Sequence, residues 1–152
     1  MAICDFTSLY PSTAIAWNLC TSTLLLNGDV PDGVEVEAIE VEPGRTLRFA
    51  QNVPSLMPLA FHTFLAKRKE TRNAQKSLVY GSPEWKIKEG LQLAYKVTAN
   101  SLYGFLGSKF CPIPAARCVA EAITGIGRRE LLRSKAIAEQ MGLKVIYGGA
   151  SE

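Results

Sequence analysis

Apolar positions along the chain change period several times, and each change marks an element. Ile3 to Phe6 reads as a short apolar strand, and Pro11 sits where the first turn of a helix tolerates it. The opening is therefore expected to be strand, tight turn and helix through about Cys20, with Asp5 at the strand end. Val34, Val36 and Ala38, then Ile39 and Val41, then, past Pro43-Gly44, Leu47 and Phe49 predict a β-hairpin with a Pro-Gly turn and one phase slip. Pro54 and Pro58 flank the start of a long helix carrying Leu59, Phe61, Phe64 and Leu65, then the basic Lys67-Arg68-Lys69, and ending near Ser77. Gly81-Ser82-Pro83 breaks it. Ser82 as cap, Pro83 in the first turn, and Trp85, Ile87, Leu91 and Leu93 beyond predict a second helix to about Tyr103, stopped by Gly104. So short a break between two long helices makes an antiparallel helical hairpin. A third long helix is expected from about Ala115 to Gln140, on the spacing of Val119, Ile123, Ile126, Leu131 and Ile137, with Gly142 as its C-cap. Leu143 to Tyr147 then reads as a strand. The order gives an α+β chain whose first and last strands can meet in one sheet.

Composition narrows this picture only a little. Of 152 residues, 47% are hydrophobic, enough for a core and too many for intrinsic disorder. The formal net charge is +3, so attraction to nucleic acid has to come from local placement of Lys and Arg rather than from a bulk field. Cys4, Cys20, Cys111 and Cys118 form no CxxC pair and lie mostly among apolar neighbours, as reduced and packed thiols do. No basic leader precedes an apolar stretch, and no run approaches the roughly 20 apolar residues of a membrane span, so an intracellular soluble chain is expected. His62, the lone histidine, reads as a helix-surface residue.

Three clusters carry chemistry. In Asp5-Phe6-Thr7-Ser8-Leu9-Tyr10-Pro11-Ser12, a carboxylate at a strand end precedes a turn held by the following helix. By itself such an Asp is either a metal ligand or a helix cap. In Lys96-Val97-Thr98-Ala99-Asn100-Ser101-Leu102-Tyr103-Gly104, a cation, an amide and an aromatic ring recur at helical spacing and share one face. Seen alone, that trio is equally a solvated Lys beside a buried Tyr. Between them, Arg68 and Arg72 stand four residues apart on the preceding helix, either as a solvated basic face or as a cationic wall completed by Lys96 across the hairpin. Arg and Lys donors of that kind neutralise and orient a triphosphate.

The octet from Asp5 to Ser12, extended by Asn18-Leu19-Cys20, resembles the first catalytic motif of family B DNA polymerases, and Lys96 to Gly104 resembles the second. The resemblance covers nearly the full chain. It implies a partial polymerase palm in residues 1–53, a fingers helical hairpin in 54–104, and a palm helix and strand in 105–152. The implied activity of the intact enzyme is template-directed transfer of a deoxynucleotide to a primer 3′-hydroxyl, with DNA primer-template, dNTP and the remaining polymerase domains as partners, in the nucleus or at a viral replication site. Asp5 and the Phe6 carbonyl are then ligands of Mg²⁺, with Asp5 catalytic. Ser8, Leu9, Tyr10, Arg68, Arg72, Lys96, Asn100 and Tyr103 bind the nucleotide, with Tyr10 closing the pocket against a 2′-hydroxyl and Tyr103 facing the nascent base pair.

Where the family's third motif runs Tyr-Gly-Asp-Thr-Asp-Ser, this chain has Tyr147-Gly148-Gly149-Ala150-Ser151-Glu152. Gly149 and Ser151 supply no carboxylate, and Glu152 stands one residue late. Two-ion catalysis needs carboxylates on both sides of the ion pair. The isolated chain is therefore expected to be inactive, with a non-catalytic nucleotide- or partner-binding relic, or a gene fragment, as the alternative. Exonuclease, N-terminal and thumb domains are expected to lie outside it.

Overall fold

A computed structural model describes residues 3–26, 28 and 30–149. Four helices and one small antiparallel sheet make it an α+β fold. The helices are α1 (Leu9–Ala16), α2 (Leu56–Gln75), α3 (Pro83–Gly107) and α4 (Pro114–Gln140), and the strands are β1 (Leu24–Leu25), β2 (Val36–Glu42) and β3 (Arg45–Ala50).

The sheet has the order β1-β3-β2, with Ile39 opposite Leu47 and Leu24 opposite Phe49. The hairpin turns at Pro43-Gly44, where Gly44 has φ +79°, a conformation that costs a residue without Cβ nothing. The register is regular at Ala38 and Ile39, where the apolar alternation slips, and shifts instead between Glu40 and Glu42; Ile39 and Val41, two residues apart, both face the core. α4 lies against this sheet, and Arg128 donates to the Val41 carbonyl at 3.2 Å. The core gathers Phe49, Phe61, Leu19, Ile39, Val119, Ile123 and Ile126, all almost fully buried.

The first helix stops earlier than Cys20. Asn18 takes the left-handed conformation (φ +47°), its N–H reaches the Ile15 carbonyl, and the Leu19 N–H reaches Ala14, which closes α1 at Ala16 in a Schellman cap. The Asn18 side chain then donates to the carbonyls of Ala50, Gln51 and Val53 and accepts from the Ser55 hydroxyl, joining the end of α1 to the exit of β3 and the start of α2. Cys20 is buried behind it. Burial disfavours its thiolate, but hydrogen bonds led by Ser22 outweigh that and leave the thiol below its ordinary pKa. Cys111 and Cys118 are half-buried, whereas Cys4 is exposed and not packed as expected.

α2 and α3 are antiparallel: Arg68 bonds to Gln92, and Gln75 to Glu89 and to the Trp85 carbonyl, so partner numbers fall along one helix as they rise along the other. Ser82 caps α3 by accepting from the Trp85 N–H, with Pro83 next. Gly104 does not stop this helix, which continues to Gly107 and is capped at Ser108. A glycine inside a helix costs about 1 kcal/mol relative to alanine, and that is less than the neighbouring contacts of Tyr103 and Leu106 return. α4 ends as expected, with Gly142 at φ +79° and the Leu143 N–H bonded to Ala138.

Two expected strands are not formed. Residues 3–6 and 143–147 have no ladder partner and belong to no sheet, and Ile3, Ile146 and Tyr147 are at least 80% exposed. The two segments do not pair with each other in a sheet. Extended apolar sequence becomes a strand only when a neighbouring chain takes up its N–H and C=O groups, and none does so here among the described residues. No helix of the described residues is long and apolar enough to cross a membrane.

Candidate nucleotide site

α1 is the short pivot of the site. Ser8 precedes it in the left-handed region (φ 52°, ψ 51°), its carbonyl takes the first helical bond from the Ser12 N–H, and the Ser12 hydroxyl donates back to the Thr7 carbonyl. This tight entry turns Ser8 and Ser12 to one side of α1, and Leu9 and Tyr10 towards α4 and α3. Leu9 and Tyr10 both face Gly127 of α4, where a Cβ would stand in ordinary contact, 3.4 Å from a Leu9 methyl and 3.7 Å from the Tyr10 ring. Tyr10 is buried, and its ring meets that of Tyr103 at 4.3 Å between centroids with a 36° tilt. The two motifs, more than ninety residues apart, are thus joined through their aromatic residues.

Across from Ser8 and Ser12, α2 presents Arg68, Lys69 and Arg72, and its C-cap Lys76, to a cavity of about 410 Å³. No carboxylate lines this cavity among the described residues. Four cations around one concavity without a counter-charge make an anion site by simple electrostatics. The exposed Lys67 is paired instead with Glu70 at 3.4 Å, away from the cavity. His62, on the same helix, is exposed as expected.

The structure therefore brings Ser8, Arg68 and Arg72 together at the cavity, and Tyr10 and Tyr103 together beside it. Leu9 packs against α4. Lys96 is exposed and does not line the cavity, so the cationic wall consists of α2 residues only. By helical spacing it lies on the side of α3 that carries Gln92, the partner of Arg68, one turn further on. Asn100 is half-buried near it and lines neither cavity. Asp5 is exposed and borders neither this cavity nor the cleft described next, and it stands in irregular chain rather than at a strand end. Phe6 lines a second, smaller cleft of about 190 Å³ with Trp17 and Glu130. Gly149 is exposed at the end of irregular chain, while Ala150, Ser151 and Glu152 lie outside the described residues.

As for a metal, no group of three or more His, Cys, Asp or Glu side chains stands together among the described residues. Asp5 alone does not fit a two-ion centre.

Lys69, Asn73 and Lys76 were not singled out from the sequence, although the signal was present. Positions 68, 72 and 76 form one row of α2, and 69 and 73 lie beside it.

The family model described as DNA polymerase family B matches residues 1–150. The chain is 34% identical to the DNA polymerase delta catalytic subunit of Caenorhabditis elegans and 30% identical to DNA polymerase 2 of Aeropyrum pernix, in each case over 97% of its own length. Its fold is similar to the solved family B DNA polymerase of Pyrobaculum calidifontis, with a TM-score of 0.71 and 33% identity over 95% of the chain. The chain belongs to DNA polymerase family B. It spans 14% of the first of these relatives, and 18% of each of the other two.

Proposed function

We propose that this chain is the nucleotide-binding part of a DNA-directed DNA polymerase core, with residues 1–53 and 105–152 as palm and 54–104 as fingers. The observation that carries the reading is the cavity in which Arg68 and Arg72 face Ser8 of the first motif. An incoming deoxynucleoside triphosphate presents its phosphates to the arginines, whose forked N–H groups match phosphate oxygens and offset their charge. Lys69 and Lys76 add to the same field. Tyr10, held against Tyr103, offers a rigid ring edge to the sugar, and rigidity is what steric rejection of a 2′-hydroxyl requires. Tyr103 bears on the nascent base pair and Asn100 supports the site, while Lys96 stays outside the grip as an exposed cation of α3. In the intact enzyme the outcome is transfer of a deoxynucleotide to a primer 3′-hydroxyl on a DNA template.

Family B chemistry draws on Mg²⁺, which would neutralise phosphate charge and activate the attacking hydroxyl. The described residues do not fit a pair of such ions, and Asp5 is the single carboxylate offered by the first motif. The same observation favours nucleotide binding without catalysis as the second reading for the isolated chain.

The test is binding of a dNTP to the chain, followed by calorimetry. Each charge-assisted contact is worth about 1.5 to 3 kcal/mol, so Arg68→Ala or Arg72→Ala lowers affinity roughly tenfold or more. A change below twofold in both variants returns the basic row to a solvated surface.

A further inference from the structure

The face of α3 that meets α2 carries polar side chains where a helical hairpin ordinarily carries leucines. Gln92 and Gln75 are each only 9% exposed, and Glu89 is half-buried between them. They form a continuous chain of hydrogen bonds. Arg68 Nε donates to Gln92 Oε1 at 3.1 Å, Gln92 Nε2 donates to Glu89 Oε1 at 2.9 Å, and Gln75 Nε2 donates to Glu89 Oε2 at 2.8 Å. The Gln75 amide also reaches the Trp85 carbonyl at 3.4 Å.

The chemistry of the two ends fixes the orientation of every amide in between. A guanidinium only donates and a carboxylate only accepts, so Gln92 must turn its oxygen to Arg68 and its nitrogen to Glu89. Gln75, facing two acceptors, must turn its nitrogen to both. The relay thus has one stable sense. It uses the Nε–H of Arg68 and leaves the four N–H groups of the terminal nitrogens, which have no partner among the described residues. With Nε pinned, the guanidinium plane cannot swing about the long side chain. Arg68 also lines the cationic cavity, so the fork is pre-set toward whatever fills it.

Stability alone does not call for this arrangement. Replacing both members of a buried hydrogen-bonded pair by apolar groups of like shape is close to neutral, and two leucines would join the helices equally well. What leucines would not do is hold an arginine.

We propose that Gln92, backed by Glu89 and Gln75, is a positioning residue that fixes the guanidinium of Arg68 for a phosphate group in the cavity. The inference rests on the nucleotide reading of that cavity and adds to it a device behind the contact residues. Pre-ordering a long side chain removes rotamer entropy that binding would otherwise lose.

The probe is inorganic tripolyphosphate, titrated into the full chain by calorimetry, with thermal melts followed by circular dichroism as the folding control. Gln92→Leu is expected to weaken binding about three- to tenfold. In an Arg68→Ala background the same change is expected to have no further effect, because its influence runs through Arg68. Should Q92L melt below the assay temperature, Q92N, which draws the amide one methylene short of Arg68, is read in the same cycle. No binding of tripolyphosphate by the unaltered chain overturns the nucleotide reading and this inference together. Binding that falls with R68A and not with Q92L or Q92N overturns the positioning role alone. An equal loss with and without Arg68 also overturns it, and assigns Gln92 to the packing of the hairpin.

Discussion

Asn18 shows how much one side chain can organise. Its amide group carries two hydrogens and meets three carbonyl oxygens, at 2.9, 3.3 and 2.9 Å, so one hydrogen is shared between two acceptors. The backbone at the same residue sits in the left-handed region, which asparagine tolerates better than most residues. Asn18→Ala removes both contributions, leaves partly buried carbonyls without their donor, and is expected to destabilise the chain by about 2 to 3 kcal/mol. Asn18→Gly keeps the backbone freedom and loses only the bonds, so its cost should be the smaller of the two. Urea unfolding of both variants checks the order: equal midpoints would leave the left-handed backbone without a part in the cost, and a Gly variant as stable as the unaltered chain would leave the amide without one. Asn18 was legible in the sequence as part of a motif, but its task was not, because its partners lie 32 to 37 residues away. Arg68 and Arg72 were legible because helical spacing is local. The Gln92 relay was invisible for the reason that hid Asn18: a polar residue in a helix looks solvated until the facing helix is known.

At the scale of elements, the hairpin about Pro43-Gly44, the Ser82 cap and the Gly142 cap were all readable, since each is set by a few adjacent residues. The faces of α3 were not. Ile87, Leu91 and Leu93, whose spacing announced the helix, are 68%, 39% and 49% exposed, while Gln92, Ala99 and Leu106 point inward. Apolar period predicts that a helix forms, and here it does not predict which side is covered. The strands expected at 3–6 and 143–147 failed on the same ground, because strand formation depends on a partner that sequence alone does not supply. Packing between α1 and α4 offers a sharper test. Gly127 is buried in the middle of α4, where glycine costs about 1 kcal/mol against alanine. A Cβ at this position would be in ordinary contact with Leu9 and Tyr10, at 3.4 and 3.7 Å. Gly127→Ala is therefore expected to raise stability by up to about 1 kcal/mol. Gly127→Val adds two methyl groups against Leu9 and Tyr10 and is expected to lower it by about 1 to 3 kcal/mol. Opposite signs in thermal melts support the close approach of α1. Equal signs would overturn this reading: two losses would show that α1 lies too close for even a methyl group, and two gains that it lies too far away for valine to crowd it.

For the molecule as a whole, binding and catalysis come apart. The cationic cavity draws on one helix and one turn, both present, so the chain is expected to hold a triphosphate. Catalysis asks for more: two divalent ions held roughly 3.5 to 4 Å apart, with carboxylates fixing both, so that the primer hydroxyl is activated while charge develops on the phosphate. Asp5 is exposed, and no cluster of metal-ligating side chains forms among the described residues. At Gly149, where the third motif of the family has its first aspartate, there is no side chain at all. A single carboxylate still attracts Mg²⁺ weakly, since that ion keeps most of its waters, so weak metal binding and nucleotide binding are both compatible with inactivity. The 152-residue chain is expected not to extend a primer with Mg²⁺ or Mn²⁺ at any nucleotide concentration that saturates the cavity. Primer extension on a labelled template, with an Asp5→Ala control, makes the measurement. Extension that persists in the control points to a contaminating polymerase. Extension that vanishes in the control would overturn the expectation, and would mean that Asp5 finds its opposing carboxylate from outside the described residues.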